Sequence, residues 1–397
     1  MAKRILIYTN HFYPEQFKIN EIVEWLSSEN THVRVVTGLP NYPSGKLIKN
    51  YKNIFKSNVI INRLLLIPRG GGSKLMLIIN YFSYFISCFY FTIYLAIFKK
   101  KYDIIFVHHT SPFFISIHPI IYSLFNKSKK IMWDLDIWPE SLKAVNVIRS
   151  AFLFSIIKSS VEIIYSKYDF ILVGSRPLVN VVKNRFNGRI IYFPNWADKI
   201  IEDNKIDVED IFSMNTEKFN IVYTGNIGKA QDFESLIKTI GNVQENIHWT
   251  FVGDGRFKSQ FKRLIEDKSL TTKVTFIDQV NINLIPSIAN KADALFLSLK
   301  SDEIFSKTVP AKLQVYMALG KPIIGMLNGE GAKLINEADC GTVEENYNYE
   351  ELAKKINSFA SKTMPELIRK GHNGKNYYFK HFSSLIRKKE FLNLIND

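Results

Sequence analysis

The chain has 397 residues, 46% of them hydrophobic, and a formal net charge of +15. That length and apolar content suit two folded domains and exclude general disorder. The two cysteines, Cys88 and Cys340, lie far apart and outside any ligand-spaced cluster, which excludes a disulfide framework or structural zinc site and fits a reducing cytoplasm.

In chain order, Ile5–Thr9 and His32–Thr37 read as strands, with helical spacing between them over Ile19–Ser28. Strand, helix, strand is how a doubly wound sheet begins. The basic Met1–Arg4 before so short an apolar run reads as the start of a strand and not as an export segment. Ile104–His108, Lys130–Leu135, Phe170–Gly174 and Ile190–Phe193 continue the strand series. They predict one Rossmann-like domain over residues 1–195.

Asn195–Asn215 is polar and acidic, with Asp198, Glu202, Asp203, Asp207, Glu209 and Asp210, and reads as an interdomain crossing. A second series follows. Its predicted strands are Phe219–Thr224, Trp249–Val252, Val274–Phe276, Ala294–Leu299 and Pro322–Met326. Helices are expected over Asp232–Gly241, Arg256–Glu266, Asn283–Asn290 and Ala311–Leu319. Such nearly continuous apolar strands predict a parallel sheet covered on both faces. This is a second Rossmann-like domain over 196–375, with a C-terminal helix over 376–397 that has the option of packing back on the first domain.

One stretch departs from the soluble pattern. Leu75–Phe98 carries no charged side chain between Lys74 and Lys99–Lys101. By length and charge it qualifies as a transmembrane helix. Its polar Asn80, Ser83, Ser87 and Thr92 and its scattered aromatics favour a long buried helix whose outer face touches the bilayer. Internal core and a true span are the alternatives. The basic balance fits an anionic membrane surface or phosphorylated substrates. Nucleic acid fits least, because no recognised binding pattern is present and the aromatics do not alternate with Lys and Arg.

Ligands of such sheets sit beyond the carboxyl ends of the strands, in the cleft that two facing domains would form. Gly and polar residues recur there in the second domain: Gly225, Asn226, Gly228, Lys229 and Gln231 after one strand, Gly253, Asp254 and Gly255 after the next. Glycine turns and helix N-termini favour a phosphorylated ligand, although any tight turn also uses glycine. Thr308, Pro310, Ala311, Lys312 and Leu313 are more specific. Pro310 suits a helix start, which leaves Lys312 at the positive end of the dipole. A bound diphosphate would resolve that conflict; a surface lysine is the competing reading.

The segment Thr308–Ile324 resembles the PSKL…YMA.GKPI block of glycosyltransferase family 4, retaining enzymes of the GT-B fold. The likeness extends over nearly the whole chain. Tyr223–Gln231 resembles the family's YxGNIGxAQ turn, Val252–Gly255 its VGDG turn and Phe193–Trp196 its PNW crossing. Trp133–Glu140 resembles its WxxDLWPE element. Tyr13, Pro14 and Glu15, and Gly38–Pro43 with Asn41 and Tyr42, resemble first-domain loops. The group most similar is that of bacterial O-antigen and capsule transferases of the N-acetylfucosaminyl type. There are departures: Lys307 and Val315 stand where many members have glutamates, Asn226 and Gln231 where the family has phosphate-binding Arg and Lys, and Leu135 where many have His.

The resemblance implies an α/β, GT-B chain that transfers a sugar, an N-acetylated deoxyhexosamine being one candidate. The donor is a nucleotide sugar and the acceptor a polyprenyl-diphosphate-linked saccharide, at the inner face of the cytoplasmic membrane. Neither metal nor cofactor is expected. Asp136 and Lys312 are the candidate catalytic residues. Tyr13, Pro14, Glu15, Asn41, Tyr42 and Glu140 are the acceptor-side candidates, and Asp136 and Glu140 have local capping as their plain alternative. A nucleotide-sugar epimerase and a non-catalytic membrane-associated subunit are the competing functions.

Overall fold

The apolar runs become parallel strands because each is buried on both faces. The computed structural model describes residues 2–397 apart from 43, 71–72, 100, 145–146 and 205–213. Pro43, Lys100 and part of the acidic crossing, with Asp207, Glu209 and Asp210, therefore lie outside the described residues. The chain divides into two compact units, Met1–Phe193 with Lys388–Asp397, and Pro194–Arg387.

The first unit is built on seven strands: β1 Lys3–Thr9, β2 Thr31–Gly38, β3 Val59–Leu64, β4 Ile104–His109, β5 Lys129–Asp134, β6 Phe170–Val173 and β7 Arg189–Tyr192. Their order is β3-β2-β1-β4-β5-β6-β7, parallel throughout. The order reverses at β1 and β4, where Ile7 pairs with Phe106 and Thr9 with His108. A crevice outside the carboxyl ends opens at such a reversal. From Lys388–Asp397, Phe391 packs against Phe106 at 5.1 Å and Phe193 at 6.1 Å, and the Lys3 ammonium donates to the Ile395 carbonyl at 2.6 Å.

The second unit holds six parallel strands: β8 Phe219–Thr224, β9 Ile247–Val252, β10 Val274–Ile277, β11 Ala294–Ser298, β12 Ile323–Met326 and β13 Gly341–Glu344. Their order is β10-β9-β8-β11-β12-β13, reversing at β8 and β11. Phe233, Trp249, Phe251, Phe257, Phe261 and Phe296 are all buried in one aromatic-rich core. That core supports the β8 and β9 turns from below. The region expected as a helix over Asn283–Asn290 opens with a 3₁₀ turn, Ile282–Leu284, before the helix Ile285–Lys291, because Pro286 suits a helix start.

The helix Lys74–Phe98 buries one stripe and leaves an outer side exposed, which departs from the internal-core alternative. Only 28% of its most apolar window is buried. The buried stripe is its more polar one: Asn80, Tyr84, Cys88, Thr92, Leu95 and Ala96. The Tyr84 hydroxyl donates to the Thr9 carbonyl at 3.0 Å, Thr92 and Tyr8 share a 3.0 Å hydrogen bond, and the Asn80 amide donates to Ile67 at 2.6 Å. The outward side carries Leu75, Ile78, Phe82, Ile86, Tyr90, Tyr94, Ile97 and Phe98, all exposed. By length and composition the helix is long enough to cross a membrane, yet its polar stripe is fastened to β1 and β2.

Candidate functional site

The donor-side residues gather at the carboxyl ends of β8 and β9. Gly225 (φ +108°), Gly253 (φ +146°) and Gly255 (φ +158°) occupy backbone conformations that favour glycine. Space enforces the choice as well. A Cβ at Gly253 would lie 2.0 Å from the Gly225 carbonyl oxygen, and one at Gly255 would lie 2.3 Å from that of Ile227. The two turns are thus packed backbone to backbone. The Lys258 ammonium pins the second one, donating to the Gly253 carbonyl at 2.7 Å and to Asp278 at 2.6 Å.

The helix Ala311–Leu319 begins as expected, with Pro310 at its N-cap and Gly320 (φ +71°) at its C-cap. Lys312 sits in its first turn beside the β8 turn. Its Nζ donates to the Tyr223 hydroxyl at 2.6 Å, and its Cε would lie 2.9 Å from a Cβ at Gly225. The Tyr223 hydroxyl in turn donates to the Asn226 carbonyl at 2.6 Å. Burial pulls the Lys312 ammonium down to about 8, since a charge with few water contacts is costly. One turn further on, the Tyr316 hydroxyl accepts from the Thr224 N–H at 3.0 Å, and burial pushes it up to about 12. Lys312 is therefore a held, half-desolvated cation, unlike a free surface lysine.

The β8 turn differs from the sequence expectation in one respect. The N–H groups of Gly225, Ile227 and Gly228 donate to Val252, Asp254 and the Gln231 side chain at 2.8, 2.8 and 3.0 Å. They hold the turn in shape and are spent inside it, whereas the helix end after Pro310 and Lys312 are the anion-binding candidates beside it. Gln231 closes the turn through Gly228, and Ser298 donates to the Gln231 carbonyl at 2.5 Å. Asn226, Lys229 and Asp254 are exposed. Thr308 donates to the Phe305 carbonyl at 2.9 Å, Leu313 is fully buried, and Lys307 pairs with Glu303 at 2.7 Å.

In the first unit, the acceptor-side candidates converge beyond β1 and β2. Glu15 is buried; one oxygen accepts from the Asn41 and Tyr42 N–H groups at 2.7 Å each, and the other meets His11 Nδ1 at 2.8 Å. Burial raises the Glu15 carboxyl, but His11 and the two N–H groups outweigh it and hold Glu15 below the usual range. Glu15 thus ties two loops together. Tyr13 accepts at its carbonyl from Arg63 and Pro14 follows it in the same loop. Arg69 donates to His11 Nε2 at 3.1 Å and lies over the Tyr42 and Tyr81 rings at 5.6 and 5.2 Å.

Beyond β5, Asp136 accepts from the Ser111 N–H and hydroxyl at 2.5 Å each, the local capping role that was its plain alternative. Glu140 forms a bidentate ion pair with Arg185 and is likewise anchored. Beneath them, buried Asp134 meets His109 Nδ1 at 2.7 Å and accepts from the Tyr165 hydroxyl. Burial raises the Asp134 carboxyl, but His109, Tyr165 and the Ile137 N–H together hold it below the usual range.

Residues 205–376 match the family described as Glycosyl transferases group 1. The second unit carries a glycosyl transferases group 1 domain. The chain is 22% identical over 343 residues to WcaI of Escherichia coli K12, a protein named as a colanic acid biosynthesis glycosyl transferase; the match covers 80% of this chain and 81% of WcaI. A sucrose-phosphate synthase from Thermosynechococcus elongatus has the same fold, with a TM-score of 0.75 at 15% identity over 100% of this chain and 98% of that one. So does Anabaena HepE, solved with UDP and glucose, at 0.70 and 12% over 100% of both chains. The chain is a glycosyltransferase of the GT-B fold.

The motif reading of this glycosyltransferase missed Tyr223 as the partner of Lys312, Lys258 as the pin of the β9 turn, and Arg69. Tyr223 had a signal, since it ends an apolar strand with a hydroxyl at the predicted ligand edge. Glu330 was also missed. It is buried in the first turn of the helix Gly329–Glu337, and a Cβ at Gly329 would lie 2.0 Å from the Ser306 carbonyl oxygen.

Proposed function

We propose that this chain is a retaining transferase that moves a sugar from a nucleotide-diphosphate donor to a lipid-linked saccharide during bacterial surface-polysaccharide synthesis. The observation that carries the donor half is Lys312, held by Tyr223 at 2.6 Å in the first turn of a helix beside the Gly225 turn. An N–H-rich helix end and a desolvated ammonium together suit a diphosphate. HepE, solved with UDP, and WcaI, named for a polysaccharide, support the donor and pathway classes. An N-acetylated deoxyhexosamine is the sugar we favour, on the motif resemblance.

As the bond from the anomeric carbon to the leaving phosphate oxygen breaks, negative charge grows on that oxygen. Lys312 and the helix end face that charge, and groups fixed in advance stabilise it without reorganising. The acceptor hydroxyl oxygen forms the new bond on the same face of the sugar, and its proton passes to the leaving phosphate. No dedicated base and no metal are needed in this scheme, and Asp136 serves by fixing Ser111 in place.

The membrane half rests on inverted amphipathicity. The helix Lys74–Phe98 turns its polar stripe inward and its apolar side outward, and in the same unit Phe152, Leu153, Ile156 and Ile163 of the helix Ala151–Tyr165 are exposed. Apolar surface of this extent marks an interaction site. A lipid surface, with the basic excess of the chain drawn to anionic headgroups, fits it. We place the chain peripherally on the inner face of the cytoplasmic membrane.

The test is transfer from labelled nucleotide sugars to polyprenyl-diphosphate-linked saccharides, with wild type and Lys312→Ala. Wild-type product that falls by at least about a hundredfold in the variant, at unchanged melting point, supports the reading. Equal turnover in both overturns it.

A further inference from the structure

Arg69 is a cation of the first unit held in place without an acidic partner among the described residues. Its Nη2 donates to His11 Nε2 at 3.1 Å and its Nε to Asn80 Oδ1 at 3.3 Å. Its guanidinium lies over the Tyr42 and Tyr81 rings. Every one of these partners is neutral or a ring face, and among the described residues Arg69 has no ion pair. His11 is itself fixed: its Nδ1 faces Glu15 at 2.8 Å, so the Nδ1–H tautomer leaves Nε2 free to accept from Arg69, and its ring stacks on Phe17 at 4.6 Å. A guanidinium offers five N–H donors in a planar fork. Two of them are used, and the side chain is only partly buried.

Ordering a long cation costs side-chain entropy, and neutral partners return little of its charge energy. A fixed fork with unused donors is matched to an anion with several oxygens. The setting narrows which anion. Asn80 and Tyr81 belong to the helix Lys74–Phe98, whose opposite side is exposed and apolar. Tyr81 also feels both Arg69 and Asp136: burial raises its hydroxyl most, the Arg69 charge lowers it and the Asp136 charge raises it again. Arg69 therefore lies between the apolar helix and the loop that follows β5.

The geometry points to Arg69 as the residue that binds the diphosphate of a lipid-linked acceptor, with Tyr42 and Tyr81 flanking it and His11 orienting its fork. This rests on the proposed acceptor class. The occupant is an anion attached to a hydrocarbon chain, distinct from the diphosphate of the donor.

The test uses the full chain saturated with UDP and titrated with farnesyl diphosphate, farnesol and inorganic pyrophosphate, for wild type, Arg69→Ala and Arg69→Lys. Loss of a charge-assisted fork weakens farnesyl diphosphate about tenfold to a hundredfold in Arg69→Ala. Arg69→Lys falls between, and farnesol binding stays as in wild type. Melting points show that both variants fold. Equal farnesyl diphosphate affinity in wild type and Arg69→Ala overturns the assignment while leaving the acceptor class standing. A matching loss of farnesol affinity also overturns it, because Arg69 would then shape the apolar face. A wild type that binds UDP but no farnesyl diphosphate overturns the lipid-diphosphate acceptor along with it, and UDP binding reports on the donor half separately.

Discussion

The Lys312 ammonium donates to the Tyr223 hydroxyl at 2.6 Å, and that hydroxyl donates onward to the Asn226 carbonyl at 2.6 Å. One phenol thus couples the first turn of a helix to the turn after β8. Removing only the oxygen, Tyr223→Phe, frees Lys312 to choose other rotamers and leaves the Asn226 carbonyl without its donor. The expected outcome is a drop in kcat of about tenfold, roughly one hydrogen bond's worth, with the melting point changed by a few degrees. Steady-state transfer assays and a thermal melt check it.

The lowered Lys312 pKa sets a pH dependence. The folded ligand-free value is about 8, below the ordinary value of about 10.4. The protonated form is the one that binds a diphosphate, so kcat/KM should fall as pH rises through 8. The stability sign runs the other way. Between about 8 and 10.4 the unfolded chain holds a proton that the folded chain lacks, so this group's contribution rises with pH across that window and is lost as pH falls through 8. Lys312→Met should remove both effects, read as the difference between wild-type and variant profiles.

The interlocked glycine turns make a steric prediction. Gly253→Ala sets a Cβ 2.0 Å from the Gly225 carbonyl oxygen and should cost about 1–3 kcal/mol, measured by denaturant unfolding. Gly225→Ala meets only the flexible Lys312 side chain, at 2.9 Å. It should weaken nucleotide binding more than it lowers stability, apart from the strain of φ +108°, and nucleotide titration beside a melt separates the two.

Both Asp134 and His109 are fully buried, 2.7 Å apart. Asp134→Ala leaves His109 Nδ1 and the Tyr165 hydroxyl without their acceptor. A loss of about 3–5 kcal/mol is expected, visible as a lower urea midpoint, with no specific effect on nucleotide binding in the folded fraction.

The outward side of the helix Lys74–Phe98 gives a surface prediction. Phe82 and Phe98 are 63% and 71% exposed, so Phe82→Asp with Phe98→Asp should leave the melting point near that of wild type. Flotation with phosphatidylglycerol vesicles at low salt should fall severalfold.

The strands were legible wherever burial on both faces made a continuous apolar run, as in Ile5–Thr9, Ile104–His108 and Ala294–Leu299. Val59–Leu64 escaped because it is an edge strand, with Ile60 half exposed and Asn62 and Arg63 interrupting the run. Gly341–Glu344 escaped because it is short and at the other kind of edge, beside β12 alone. For the helix Lys74–Phe98 the existence was legible but the buried face was not, because hydrophobicity predicts apolar residues inward and here Asn80 and Thr92 face the sheet. Lys312 was legible because a lysine after a helix-starting proline contradicts the helix dipole. Arg69 was silent, since only the folding of β1 and the helix Lys74–Phe98 brings it to His11.

The most direct measurement is calorimetric titration of UDP, GDP and dTDP into wild type and Lys312→Ala at pH 7. The account predicts that at least one of these nucleotides binds wild type and that Lys312→Ala binds it about tenfold to a hundredfold more weakly. Equal affinities in the two proteins would contradict a diphosphate site at Lys312.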